Sequence, residues 1–145
     1  MTPENEAKKE YLLQYRQMER RINLLLAEKA QLLALATKVT PSYSDAPRGS
    51  SSGNRTSIVV EKIIACEDEI NQTIDQAVDL REEIKQKINE VPDERLREIL
   101  RRKYLLGQKW EQVAYEMGLE FRWIRRLHGK ALSKLTLESP PKSVI

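Results

Sequence analysis

The stretch QKWEQVAYEMGLEFRWIRRLHGKA, residues 108–131, decides the reading of this chain. Ala114 and Gly118 stand four apart, Ile124 follows Gly118 by six and Leu127 follows it by nine. This is the spacing of a helix-turn-helix. Such a unit requires a small residue where its two helices touch and a residue tolerant of positive φ in the tight turn. It also requires apolar residues on the inner face of the second helix. Ala114 fills the first role, Gly118 the second, and Val113, Ile124 and Leu127 the third. Trp110 is expected to seal the first helix of the pair against the helix that precedes it.

The outward face of the second helix then reads Arg122, Arg125, Arg126 and Lys130. A positive stripe on that helix suits the major groove of double-stranded DNA, since arginine both reads guanine edges and clamps phosphates. A solvated basic face is the alternative. Phe121 either touches a thymine methyl or tucks under the preceding helix, and packing is slightly favoured. Arg101, Arg102 and Lys103 cluster near the end of the preceding helix. There they either complement its C-terminal dipole or contact phosphates flanking the groove.

Charge is distributed accordingly. Residues 1–92 carry 13 basic and 15 acidic side chains, net −2, whereas residues 93–145 carry 12 and 7, net +5. The basic surplus therefore coincides with the motif, which strengthens the nucleic-acid reading. One cysteine, Cys66, precludes an intramolecular disulfide and fits a reducing, cytoplasmic setting. It is expected to be a small buried or half-buried apolar residue. No apolar run approaches the length of a membrane span, and the first residues are too polar for a signal peptide. The single histidine, His128, has no partner for a metal site or a catalytic pair, and is expected to be structural and hydrogen-bonded. No Gly-rich phosphate loop, CxxC pair or nucleophile–base arrangement occurs, so neither enzymatic activity nor a cofactor is expected.

Gly129 falls in mid-helix, where glycine costs about 1 kcal/mol relative to alanine. Close approach to another helix is the expected compensation, with close approach to the DNA backbone the alternative. Trp123, one residue before the core position Ile124, either packs or reaches the sugar–phosphate edge.

Outside the motif the composition is that of an all-α protein, rich in Leu, Ile, Glu, Lys, Arg and Gln. A first long helix is expected over 3–38, with a heptad seam at Tyr15, Met18, Ile22, Leu25, Leu32 and Ala36 that Lys29 interrupts. Leu24, Leu26, Leu33 and Leu35 widen the apolar stripe. Pro, Gly and Ser accumulate over 40–56, which reads as a flexible loop. A second long helix is expected over 57–90. Its seam runs through Val60, Ile63, Ile70, Ile74, Ala77, Ile84, Ile88 and Val91, with Glu67 and Arg81 in the two remaining heptad places.

Two such helices form an antiparallel, coiled-coil-like hairpin that buries little by itself. The expected partner is a second copy, giving a homodimeric four-helix bundle. Pro92 ends the second helix, Asp93 and Glu94 open the next with negative charge at its favourable end, and Gly107 stops it. Leu96, Ile99, Leu100 and Tyr104 form its inner face. The motif helices are expected over 109–117 and 120–136. The implied domains are 1–91, a hairpin for oligomerisation or docking, and 92–137, a three-helix DNA-binding domain, with a tail at 138–145.

Residues 93–136 resemble region four of bacterial sigma factors. The run RLREILRRKYLLGQKWEQVAYEMG looks like that family's first helix, glycine and motif helix. The resemblance is nearest to a phage-encoded, region-four-like group of Gram-positive bacteria, related to phage late-gene transcription regulators. Leu100, Tyr104, Gly107, Trp110, Ala114, Arg126, Leu127, His128, Gly129, Ala131 and Leu132 match as a set, and RWIRRLHGKAL is the most specific piece. The family often has Ser or Thr where Lys109 stands, and Ser or Thr as N-cap where this chain reads Leu119-Glu120-Phe121. The resemblance implies a phage transcriptional regulator in the host bacterial cytoplasm, with double-stranded DNA and possible host RNA polymerase as partners. Two other readings stay open: a small terminase subunit recognising a packaging site, and a polymerase-binding adaptor with minor DNA contact.

Overall fold

A computed structural model describes residues 1–39 and 50–137. Every element among them is helical: α1 (Pro3–Val39), α2 (Ser50–Asn89), α3 (Glu94–Leu100), α4 (Trp110–Met117) and α5 (Phe121–Lys134). The tail expected at 138–145 and most of the expected loop lie outside the described residues.

Local chemistry accounts for the helix ends. The Thr2 hydroxyl accepts from the Asn5 amide at 3.1 Å, and Pro3 takes the first helical position, where its missing N–H costs nothing. Asp93 caps α3, its carboxylate accepting from the amides of Arg95 (2.8 Å) and Leu96 (3.4 Å). Pro92 separates α2 from α3 as expected. Two boundaries differ from expectation. First, α2 begins at Ser50 rather than 57. Extending an existing helix is far cheaper than nucleating one, so a strong apolar segment can carry weak formers such as Ser and Gly with it. Second, the helix before Gly107 is not uniform. Beyond Leu100 it widens into a π-turn over Arg101–Leu105, where the Leu106 amide donates to the Arg101 carbonyl at 2.9 Å and the Gln108 amide to the Arg102 carbonyl at 2.9 Å. Gly107 then takes a φ of 72° to leave the helix.

Two compact units result, and they do not divide at the boundary expected near residue 91. One unit comprises Met1–Gln17 together with the residues from Ala77 onward; the other is Met18–Gln76. The first unit owes its make-up to the start of α1. Leu12 is completely buried in a core shared with Ile84 and Ile88 of α2, Val91 just after it, Leu96 and Leu100 of α3, Tyr104, Ala131 and Leu132 of α5, and Leu135 just after that helix. Polar bonds reinforce it. Asn5 Nδ2 donates to the Gly129 carbonyl (3.3 Å), Lys8 Nζ to the Leu132 carbonyl (3.0 Å), and the buried Lys87 Nζ to the Leu137 carbonyl (2.7 Å). Lys8 thereby satisfies a carbonyl at the C-terminal end of α5, the end that favours a cation.

The second unit has a small core of Leu25, Cys66 and Ile70, with Leu32 packed beside it. Here α1 and α2 run antiparallel: Arg21 pairs with Glu69 at 3.0 Å, and Cys66 Sγ donates to the Leu25 carbonyl at 3.4 Å. Burial pushes the Cys66 thiol above its ordinary pKa, so it is inert.

The seam of α2 needs correction. Ile63, Ile70, Ala77, Ile84, Ile88 and Val91 are buried as expected, but Val60, Glu67 and Ile74 are exposed, and Arg81 lies over the Tyr15 ring at 6.0 Å. The alternate heptad places belong to Cys66, Thr73, the half-buried Leu80 and Lys87. The second row of the seam is thus turned by one residue from the expected one. On α1, Leu25 is buried, Lys29 and the remaining seam residues are half-buried, and the stripe-widening leucines are exposed.

The position of Leu12 makes a prediction that the expected boundary does not. Leu12→Ala should destabilise the unit containing α3–α5 by about 3 kcal/mol, the usual cost of emptying a fully buried leucine site. Urea unfolding followed by Trp110 and Trp123 fluorescence measures it, and an unchanged midpoint would contradict the shared core.

Candidate nucleic-acid interface

The turn between α4 and α5 is built as its residue types require. Gly118 adopts φ 67° and ψ 31°, and the Leu119 amide reaches back to the Ala114 carbonyl at 3.0 Å. Ala114 and Val113 are buried with Ile99 and Ile124, and Trp110, Met117, Leu119 and Leu127 pack around them. Trp110, the first residue of α4, packs against His128 of α5 and carries Lys103 of the π-turn over its ring. Neither helix of the pair has a side-chain cap: Lys109 and Glu120 occupy the cap positions in extended conformation without capping bonds.

The inner face of α5 is Ile124, His128, Ala131 and Leu132, all buried. His128 Nε2 and Tyr104 Oη are joined by a 2.7 Å hydrogen bond, and Trp110 meets the imidazole edge-on with ring centroids 4.5 Å apart. Burial, together with the nearby charges of Lys9, Lys103 and Arg125, lowers the His128 pKa from 6.5 to about 4, so the ring is neutral at physiological pH. Burial likewise raises the Tyr104 pKa, and its hydroxyl stays protonated. The histidine is structural, as its neighbours in sequence suggest.

With that face fixed, the opposite one is exposed. Phe121, Arg122, Trp123, Arg125, Arg126 and Lys130 all reach solvent. Arg125 lies over the Phe121 ring at 5.8 Å and Arg126 over the Trp123 ring at 5.3 Å. Such stacking stiffens long side chains while leaving their N–H donors pointing outward. Among the described residues, none of Arg122, Arg125, Arg126 and Lys130 forms an ion pair. Phe121, for which the sequence slightly favours packing, is 40% exposed. It stands at the first turn of α5, beyond the buried row, with the Arg125 guanidinium over its ring. Trp123, 49% exposed, is also outside the core.

Other assignments change. Arg102 turns inward, pairing with Glu98 at 2.7 Å and with Glu116, whose carboxylate also accepts from Gln108 at 3.1 Å and, through its other oxygen, from Gln112 at 3.3 Å. The hydrogen bond that Arg102 donates to Glu98 chiefly, and the one to Glu116 after it, hold the guanidinium more firmly protonated, and the bonds donated by Gln108 and Gln112 lower the Glu116 pKa. Arg101 is half-buried and bonds to Asn89. Both arginines thus brace α3 and its π-turn, and the charge of Arg102 is met by two carboxylates.

Gly129 is corrected too. A Cβ built there meets no atom within 4 Å, so no neighbouring helix explains the glycine. In contrast, a Cβ at Gly107 would overlap the Arg16 guanidinium, besides straining the backbone.

Sequence reasoning missed the contribution of α1. Lys9 and Arg16 face Lys103, whose ammonium lies 4.8 Å from the Trp110 ring centroid and has a pKa lowered first by burial and then by those two cations. No local pattern signals this, because it depends on long-range packing of the first helix turns. Comparison with protein-family models, with curated proteins and with solved structures finds no match to this chain.

The His128 environment sets a pH dependence. A histidine with a depressed folded-state pKa contributes stability that is complete above its unfolded value near 6.5 and is lost as pH falls toward 4. The loss should reach about 3 kcal/mol at pH 4. His128→Gln should be less stable at pH 7 yet show a flatter profile between pH 6.5 and 4.5 in urea unfolding. Equal slopes in the two proteins would contradict a buried, neutral imidazole.

Proposed function

We propose that the chain is a sequence-specific DNA-binding transcriptional regulator of phage type, working in the cytoplasm of a bacterial host, with α4 and α5 as a sigma region-four-like helix-turn-helix. The observation that carries this reading is the division of α5. One face is buried in the core, and the other presents Arg122, Arg125, Arg126 and Lys130 to solvent without ion-pair partners among the described residues. In this reading α5 enters the major groove. Phosphate contacts from its cations supply most of the affinity and make it salt-dependent, and base contacts from the same face supply sequence preference. The stacked Phe121 and Trp123 add apolar surface for thymine methyls or deoxyribose. Arg101 and Arg102, which serve intramolecular partners, are not part of the proposed surface. Lys103 and Lys9 extend the positive field beside α5.

The 18–76 unit supports a further partner. Leu24, Leu26, Leu33 and Leu35 of α1, and Ile58, Val60 and Ile64 of α2, are exposed on a unit whose own core is small. Leu26 and Leu33, seven apart, share one face of α1, and Val60 and Ile64, four apart, one face of α2; these faces are the proposed interaction surface. A second copy is the proposed occupant, giving a homodimer that offers two readers to one DNA site, and host RNA polymerase is the competing one.

Arg125→Ala combined with Arg126→Ala should weaken binding to duplex DNA at least tenfold in fluorescence anisotropy, with helicity by circular dichroism intact. Unchanged affinity in the folded variant would remove this face from the proposal. Sedimentation equilibrium should give a dimer, and Leu26→Glu with Ile64→Glu should give a monomer; a wild-type monomer would favour the polymerase as the hairpin's partner.

A further inference from the structure

Gly129 is unexplained by the protein that contains it. It lies within α5, where glycine is a poor helix former. Conformation does not demand it: among the described residues only Gly107 and Gly118 take positive φ. Packing does not demand it either, since a side chain would enter open space. Its carbonyl accepts from Asn5 Nδ2 and from Ser133 Oγ at 3.1 Å, but these bonds use the main chain and are compatible with any residue at 129.

The surroundings of the glycine are informative. Arg122, Arg126 and Gly129 stand four and then three apart, so they form one longitudinal row on the helix, with Lys130 beside it. Arg122, Arg126 and Lys130 are all exposed. The row therefore ends in a notch at the half-buried Gly129, with Arg122 and Arg126 along one flank and Asn5 of α1 at its carbonyl on the other. A bare stretch of helix beside cations lets an anion approach the backbone more closely than any other residue type would allow.

Resting on the DNA-binding reading, we infer that a phosphate of the duplex backbone seats over Gly129, beside the side chains of Arg122 and Arg126. Gly129 is then a positioning residue. It sets how deeply α5 enters the groove, and its cost in helix stability is tolerated because contact with DNA requires it.

The inference separates stability from binding. Gly129→Ala should raise the melting temperature by about 2–5 °C, because alanine is the better helix former and meets nothing. The same variant should bind a mixed-sequence duplex of about 30 base pairs roughly threefold more weakly at low salt, and Gly129→Gln about tenfold or more, as the helix is held off the phosphates. Arg126→Ala serves as the companion variant. If it weakens binding while Gly129→Ala and Gly129→Gln bind as the wild type does, the close approach at Gly129 is overturned. If Arg126→Ala also binds as the wild type does, the DNA-binding reading beneath it is overturned as well.

Discussion

The burial of one face of α5 is the constraint on which the rest of the structure depends. Ile124, His128, Ala131 and Leu132 must leave water, and a helix with one face fixed has its opposite face fixed too. The single polar group on the buried side is accommodated by staying uncharged and sharing a hydrogen bond with Tyr104. That bond ties α5 to the π-turn that follows α3. The widened turn carries Tyr104 and Leu105 inward, and Gly107 then releases the chain toward α4.

Charge is sorted along the same lines. Arg102 donates to Glu98 of α3, to Glu116 of α4 and to Gln108 in the loop between them, while Gln108 and Gln112 donate to Glu116. The cations of α5 receive no such partners among the described residues, and two of them stack on aromatic rings instead. A pairing network in one place and its absence in another give the positive charge of residues 93–145 a direction. Charge within the network is met by carboxylates of α3 and α4, and the cations of α5 face solvent. Braces from the start of α1 complete the scaffold: Asn5 and Lys8 bond to main-chain carbonyls in the last turns of α5.

What could be read from the sequence follows the range of the interactions. Ala114, Gly118, Ile124 and Leu127 were legible because their roles are fixed by neighbours a few residues away, and Asp93, Pro92 and Gly107 for the same reason. Half of the α2 seam was legible too. Ile63, Ile70, Ala77, Ile84 and Val91 recur every seven residues, but the row that alternates with them was ambiguous. Ile74 looks more apolar than Thr73, and only the position of the facing helix decides that Thr73 is buried. Leu12 and Asn5 were invisible as partners of α5, since no periodicity reports a contact across more than a hundred residues. The inward turn of Arg102 was equally hidden, because Glu98 is a helix neighbour but Glu116 comes from α4. The expected dividing line near residue 91 followed a proline in the chain, whereas one compact unit takes the first turns of α1, with the buried Leu12, together with α3–α5.

The central claim is that the outward face of α5 recognises duplex DNA by itself. Selection of bound fragments from a genomic DNA library, run with the protein alone and again with host RNA polymerase, tests it most directly. The account predicts that the protein alone enriches one shared sequence. Enrichment only with polymerase present, or none under either condition, would contradict it.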